Sequence, residues 1–191
     1  MKKKIIIILL ITFFITSCSK YEELNNLAII SNITITYKNK NYIVTMQEII
    51  PKEKNNKVEY DYNYRTGSSK RLKNAFSNII NHSPKKIYLK KLQNIIIENK
   101  NKKKTLTDLL KYVKKKNNIN KDSSIVITKN NLNKVIKINK NYKYIDSVLK
   151  NKKISLKDLK KLYKKKKKIA LPLLKIQDKE LIFDKYIYLQ E

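Results

Sequence analysis

Apolar residues along this chain recur with three different rhythms, and each rhythm predicts a different element. Strict alternation places successive side chains on opposite faces of a strand. From Ile29 the pattern has that period. Ile33, Ile35 and Tyr37 alternate with Asn32, Thr34 and Thr36, as on a half-buried strand. Lys38-Asn39-Lys40-Asn41 reads as a turn. Tyr42, Val44 and Met46 then alternate with Ile43, Thr45 and Gln47, Pro51 closes the run, and the two runs predict a hairpin. Lys52 to Lys57 reads as a polar loop. Tyr60, Tyr62 and Tyr64 alternate with Asp61, Asn63 and Arg65, which predicts a third strand with an aromatic face. A tyrosine row at spacing two reads first as sheet core or edge cover.

The second rhythm is helical. Gly67-Ser68-Ser69 predicts the end of that strand and the start of a helix, with Ser68 or Ser69 as its cap. A serine oxygen there accepts the free amide hydrogens of the first turn. Leu72, Ala75, Phe76, Ile79 and Ile80 follow at offsets of three and four and form one apolar stripe, and Pro84 stops the run. Thr105 or Thr107 begins a second helix with Leu106, Leu109, Leu110 and Val113 inward. Lys114 to Lys116 lie in its last turn, where cations suit the carbonyl end of the helix dipole. Short helices are expected at Asn130–Ile136 and Tyr142–Leu149. Ser155 caps another that carries Leu156, Leu159, Leu162 and Tyr163 and runs out into Lys164–Lys168, a solvated helix end.

The third rhythm is continuous. Ile87–Glu98, with Ile95-Ile96-Ile97, and Ser124–Thr128 read as strands covered on both faces. Asn99–Lys104 reads as solvated loop. Ala170–Ile176 and Leu181–Leu189 are extended, with Gln177-Asp178-Lys179 between them. Strands and helices interleave, so the class is α/β or α+β with a mixed β-sheet and packed helices.

Ahead of these elements, Lys2–Lys4 precede an apolar run from Ile5 to Ile15 broken only by Thr12, and Thr16, Ser17 and Cys18 follow. This is the charged, apolar and small-residue order of a secretory signal. The run is shorter than the ~20 residues of a helix that spans a bilayer. An aliphatic residue three before a cysteine, with small residues between, is the pattern cleaved in lipoproteins. Residues 1–17 are therefore expected to be a lipoprotein signal peptide, and Cys18 the lipidated first residue of the mature chain. Residues 18–140 are expected to form an α/β domain, and 141–191 a helical segment plus the start of a second, incomplete domain.

Composition narrows the chemistry. Cys18 is the only cysteine and His82 the only histidine, so no disulfide framework and no Cys/His metal site is expected. His82 reads as a surface residue in an Asn81-His82-Ser83-Pro84 turn. The net charge is +30, and lysine supplies all the cations but Arg65 and Arg71. AT-rich coding is the simplest source of that excess, and selection for a partner the next. The charge favours an anionic leaflet, at on the order of 1 kcal/mol per lysine near the surface. It attracts nucleic acid too, but arginine, the preferred reader of phosphate and guanine, is almost absent, so no nucleic-acid partner is expected. The one glycine, Gly67, cannot form a phosphate loop. The closest acid pairs, Glu22-Glu23, Glu59/Asp61 and Asp178/Glu180, are outnumbered by neighbouring lysines and read as surface ion pairs. Asp122-Ser123-Ser124 has no histidine near it in sequence. No catalytic residue, metal site or cofactor site is assigned, and the chain is read as non-enzymatic.

After Cys18 come Glu23, Leu24, Asn25, Leu27 and Ala28, then Ile29, Ile30 and Ser31. This resembles the N-terminal part of the Ger(x)C family, the C-subunit lipoproteins of spore germinant receptors, where the pattern is Cys-Trp-Asp, two residues, then Glu-Leu/Ile-Asn-x-Leu-Ala. Ser19 and Lys20 stand in place of the tryptophan and aspartate. The resemblance continues through Tyr42-Ile43-Val44-Thr45, Pro51, Gly67, Ala75-Phe76 and Pro84–Leu89. It implies a shortened family member, since typical members are about twice this length. It also implies a lipid anchor, palmitate included, on the extracytoplasmic face of the spore inner membrane. The implied partners are two integral-membrane receptor subunits, of A and B type. A generic surface lipoprotein that binds a solute or an anionic wall polymer through its basic face is the alternative.

Overall fold

The computed structural model describes residues 24–54, 56–116, 118–138 and 144–189; residues 1–17 and Cys18 lie outside them. The strands are β1 (Leu27–Lys38), β2 (Asn41–Lys54), β3 (Lys57–Ser69), β4 (Lys86–Tyr88), β5 (Asn94–Glu98), β6 (Ser124–Thr128), β7 (Ile169–Gln177) and β8 (Glu180–Leu189). The helices are α1 (Leu72–Asn81), α2 (Lys102–Lys114), α3 (Leu132–Ile138), α4 (Tyr144–Leu149) and α5 (Leu156–Lys164). All strands join one mixed sheet in the order β3-β2-β1-β5-β6-β7-β8, with β4 beside the start of β1. The class is α+β.

The centre is parallel: β1, β5, β6 and β7 run the same way. Each flank is an antiparallel addition, β2 and β3 on one side and β8 on the other. Parallel strands need a crossover between them, and helices supply it. On one face α1, α2 and α5 pack against Ile33, Ile35, Ile95, Ile97 and Ile125. On the other, α3 and α4 cover Ile96, Val126 and Leu174. The triplet Ile95-Ile96-Ile97 thus feeds two cores, which is why it shows no alternation. Fully burying one such side chain contributes roughly 1.5–3 kcal/mol. The sheet also crosses residue 140, because Ile127 and Thr128 of β6 pair with Leu173 and Leu174 of β7.

Several boundaries differ from those the sequence predicts. Pro51 does not close β2; it pairs with Tyr60, and the ladder runs on to Lys54↔Lys57. Past Glu48 the other side of β2 has no β1 partner, so a missing proline amide costs no ladder bond there. The loop expected at Lys52–Lys57 is therefore mostly strand. Gly67-Ser68-Ser69 extends β3 instead of capping α1, whose first turn begins at Arg71 with no side-chain cap. Gly67 is buried against α1, and a Cβ there would lie 2.4 Å from the Ala75 carbonyl oxygen. The apolar stripe of α1 is buried except for Ile80. The run Ile87–Glu98 divides into β4 and β5, with a Leu92 N–H to Leu89 C=O turn between them. α2 begins at Lys102, inside the expected loop. The cap at Ser155 is as expected: its hydroxyl accepts from the Asp158 amide at 3.0 Å.

The alternation in β1 and β2 marks two buried faces. Asn32, Thr34 and Gln47 are buried as completely as Ile33 and Val44. α3 covers this polar side, and its Ile136 carbonyl accepts from Gln47 Nε2 at 3.3 Å. A bulge at Ser31 shifts the register between Ile30 and Asn32 and turns Ser31 toward Gln47, whose Oε1 accepts from Ser31 Oγ at 3.1 Å. Asn94 Nδ2 donates to Asn32 Oδ1 at 2.9 Å, and Asn32 Nδ2 donates to Gln47 Oε1 at 2.5 Å. The seam links β5, β1 and β2 by side chains as well as backbone. A buried amide without such partners costs on the order of 1–3 kcal/mol.

Candidate functional site

A concavity rich in charged side chains lies where the start of β2 meets α1 and α2. It encloses about 310 Å³, and the side chains around it include Lys70, Arg71, Lys73, Lys104, Lys111 and Lys115. Its aromatic lining is Tyr42 and Tyr112, and Tyr112 is backed by a second ring. Phe76 and Tyr112 stack with centroids 4.3 Å apart and planes 12° from parallel. Burial pushes the Tyr112 hydroxyl up to about 12. Tyr42, almost wholly buried, donates to Asp108 Oδ2 at 2.5 Å. Its pKa is raised, first by burial and then by that hydrogen bond, so it stays protonated.

Asp108 is the one carboxylate in the cleft. The Tyr42 hydroxyl and Lys111, at 3.7 Å, both engage it. Lys104 donates to the Tyr37 hydroxyl at 3.0 Å and lies 4.1 Å from the centre of that ring. Positive charge therefore exceeds negative inside a recess, where it is screened less than on an open surface. Such a recess suits an anion. Sequence reasoning missed it, because Tyr42 and Asp108 are 66 residues apart and no local pattern pairs them.

The residues weighed for chemistry are spread across the molecule. His82 closes the C-terminal turn of α1, its Nδ1 2.8 Å from the Asn78 carbonyl oxygen. Ser123 Oγ donates to the Leu92 and Asn120 carbonyls at 2.9 and 2.8 Å and braces the entry to β6. Asp61 and Glu59 pair with Lys52 and Lys54 across the β2–β3 hairpin. Asp178 occupies the β7–β8 turn in a left-handed conformation, and Glu180 opens β8. Lys164–Lys168 end α5 and lead into β7, exposed throughout. Among the described residues no three metal-ligating side chains cluster, and no helix is long and apolar enough to cross a membrane. Cys18, Glu22 and Glu23 lie outside the described residues.

The tyrosine row is not sheet core. Tyr60 and Tyr64 are 39% and 37% exposed, Tyr60 on the part of the hairpin that extends past β1 and Tyr64 opposite Gln47, whose Nε2 donates to its hydroxyl at 3.4 Å. Arg65, next along β3, is half-buried and pairs with the buried Glu48, Nη2 to Oε2 2.9 Å. The two arginines thus do different things: Arg65 is neutralised inside the sheet, while Arg71 has no carboxylate partner among the described residues.

A family model described as the spore germination protein N-terminal domain matches residues 20–176. The match runs from just after Cys18 into the last turn-ward residues of β7, and so takes in the parallel centre and both helical layers. The chain belongs to this family, and its role lies in spore germination. No curated protein and no solved structure matches it.

Proposed function

We propose that this chain is a lipid-anchored, non-enzymatic subunit of a germinant-receptor-like complex, acting beside integral-membrane A- and B-type subunits on the extracytoplasmic face of the spore inner membrane. One observation carries the reading: the family match begins at residue 20, two positions after a lone cysteine that ends a signal-like segment. Two acyl chains give stable anchoring where one gives only marginal binding, so diacylated Cys18 holds the body at the membrane. The basic surface adds attraction to anionic lipid. Changing Cys18→Ala is expected to release the protein or to leave it as an uncleaved precursor, read by membrane fractionation and mass spectrometry of the N-terminus. A variant processed and membrane-bound like the parent overturns the anchor.

The cationic cleft favours one second reading, a surface lipoprotein that takes up an anionic wall polymer. Retention on immobilised teichoic acid that falls steeply with salt supports it, and retention that is absent or insensitive to salt counts against it.

A further inference from the structure

Beyond Glu48 the β2–β3 hairpin leaves the sheet. Ile49–Lys54 pair with Lys57–Tyr62 and with no other strand. At ~3.3 Å per residue this ribbon projects by ~20 Å. Because β2 runs antiparallel to β1, the tip points out of the end of the sheet at which Leu24 enters β1. Six residues span at most ~20 Å, so the anchor proposed at Cys18 is tethered within ~20 Å of Leu24, at the end of the body from which the ribbon projects.

The ribbon has two unlike faces. Directly opposed residues share a face, so Ile49, Pro51, Val58, Tyr60 and Tyr62 lie together, with Glu53 opposite Val58 at the tip. Val58 is 61% exposed, the most of any large apolar side chain among the described residues. The opposite face is ionic, with Lys52 paired to Asp61 and Lys54 to Glu59. Residues 48–65 hold four carboxylates and four cations, so the whole +30 of the chain lies outside them. AT-rich coding supplies tyrosine as readily as lysine, so what sets the arm apart from the body is its balance of charge.

We propose that this ribbon is the docking arm for an integral-membrane partner, and that its apolar–tyrosine face lies against a protein surface at the outer edge of the bilayer. The inference rests on the receptor-subunit reading above. Charge decides among occupants. An anionic leaflet attracts the lysine-rich body but gains nothing from a neutral ribbon with Glu53, Glu59 and Asp61 near its tip. A second copy of the chain brings its own +30. A protein surface suits the ribbon, because tyrosine is enriched in interface cores and isolated charges are depleted there.

The test uses the full, lipidated chain carrying an affinity tag, solubilised from spore membranes, with co-purifying multi-span subunits quantified. The double variant Val58→Ser/Tyr60→Ser is expected to lose at least tenfold of those subunits while staying membrane-bound. A second variant, in which Asn-Gly replaces residues 51–60, removes the tip without touching the sheet and is expected to do the same. Thermal unfolding confirms that each variant is folded. Variants that retain the subunits like the parent overturn the docking arm alone. Variants that keep the lipid but leave the membrane assign the ribbon to the bilayer and overturn it too. A parent chain that brings down no multi-span protein overturns the receptor reading and this inference with it.

Discussion

β5 and β6 face an apolar layer on each side, whereas β1 and β2 face one apolar layer and one seam of amides and hydroxyls. Both halves are equally dry: Ile96 and Asn32 are each fully buried. The difference lies in what holds them. At Ile96 the free energy is area removed from water and is not directional. At Asn32 it depends on partners being in place, since Asn94 and Gln47 must meet it from either side. A polar seam gains little over solvated amides, but once buried it penalises any strand register that breaks it. The half with the seam is also the half from which the ribbon projects.

The contrast can be broken by substitution. Ile96→Ala is expected to cost most, about 3–4 kcal/mol, because it opens a cavity beneath α3 and α4. Equilibrium denaturation reads this, and an unchanged dependence on denaturant places the effect on stability rather than on compactness. Asn32→Ala is expected to cost about 2–3 kcal/mol by leaving Gln47 and Asn94 short of a partner. The paired change Asn32→Leu/Asn94→Leu is expected to recover part of that loss, which the apolar half cannot imitate. If the pair costs the sum of its members, the seam is not a coupled unit. The smallest effect is expected at the margin of the seam, where the Thr45 and Thr66 hydroxyls lie 3.0 Å apart. A double-mutant cycle with valine at both positions is expected to give a coupling of about 0.5 kcal/mol.

The two halves were not equally legible in the sequence. The triplet Ile95-Ile96-Ile97 and the run Ser124–Thr128 name a strand covered on both faces, because apolar residues say directly what surrounds them. In β1, Asn32 and Thr34 suggested water, yet their surroundings are α3 and the amides of two other strands. Nothing local in the sequence marks a polar residue that finds its partners 15 and 62 positions away. Pro51 misled for a related reason. A proline ends a strand that is paired on both sides, but here one side of β2 is already open. Ser155 was legible because its partner, Asp158, is three residues on. The cationic cleft was not, because α1, α2 and β2 meet there only through the tertiary fold.

One more property follows from the backbone of the turns. A chain with a single glycine, spent on the approach of α1 to β3, must make its tight reversals from other residues. Asn39-Lys40 and Asp178-Lys179 both adopt positive φ, as do Asn56, Asn101, Lys150 and Lys166. Two consecutive left-handed residues form the reversal that hairpins prefer, and Asn-Gly or Asp-Gly fills it without steric conflict. A lysine in the second place crowds its Cβ against the backbone, at a cost of roughly 1–2 kcal/mol. The folded state thus carries strain in its turns rather than in its core, and glycine at Lys40 or Lys179 would relieve it.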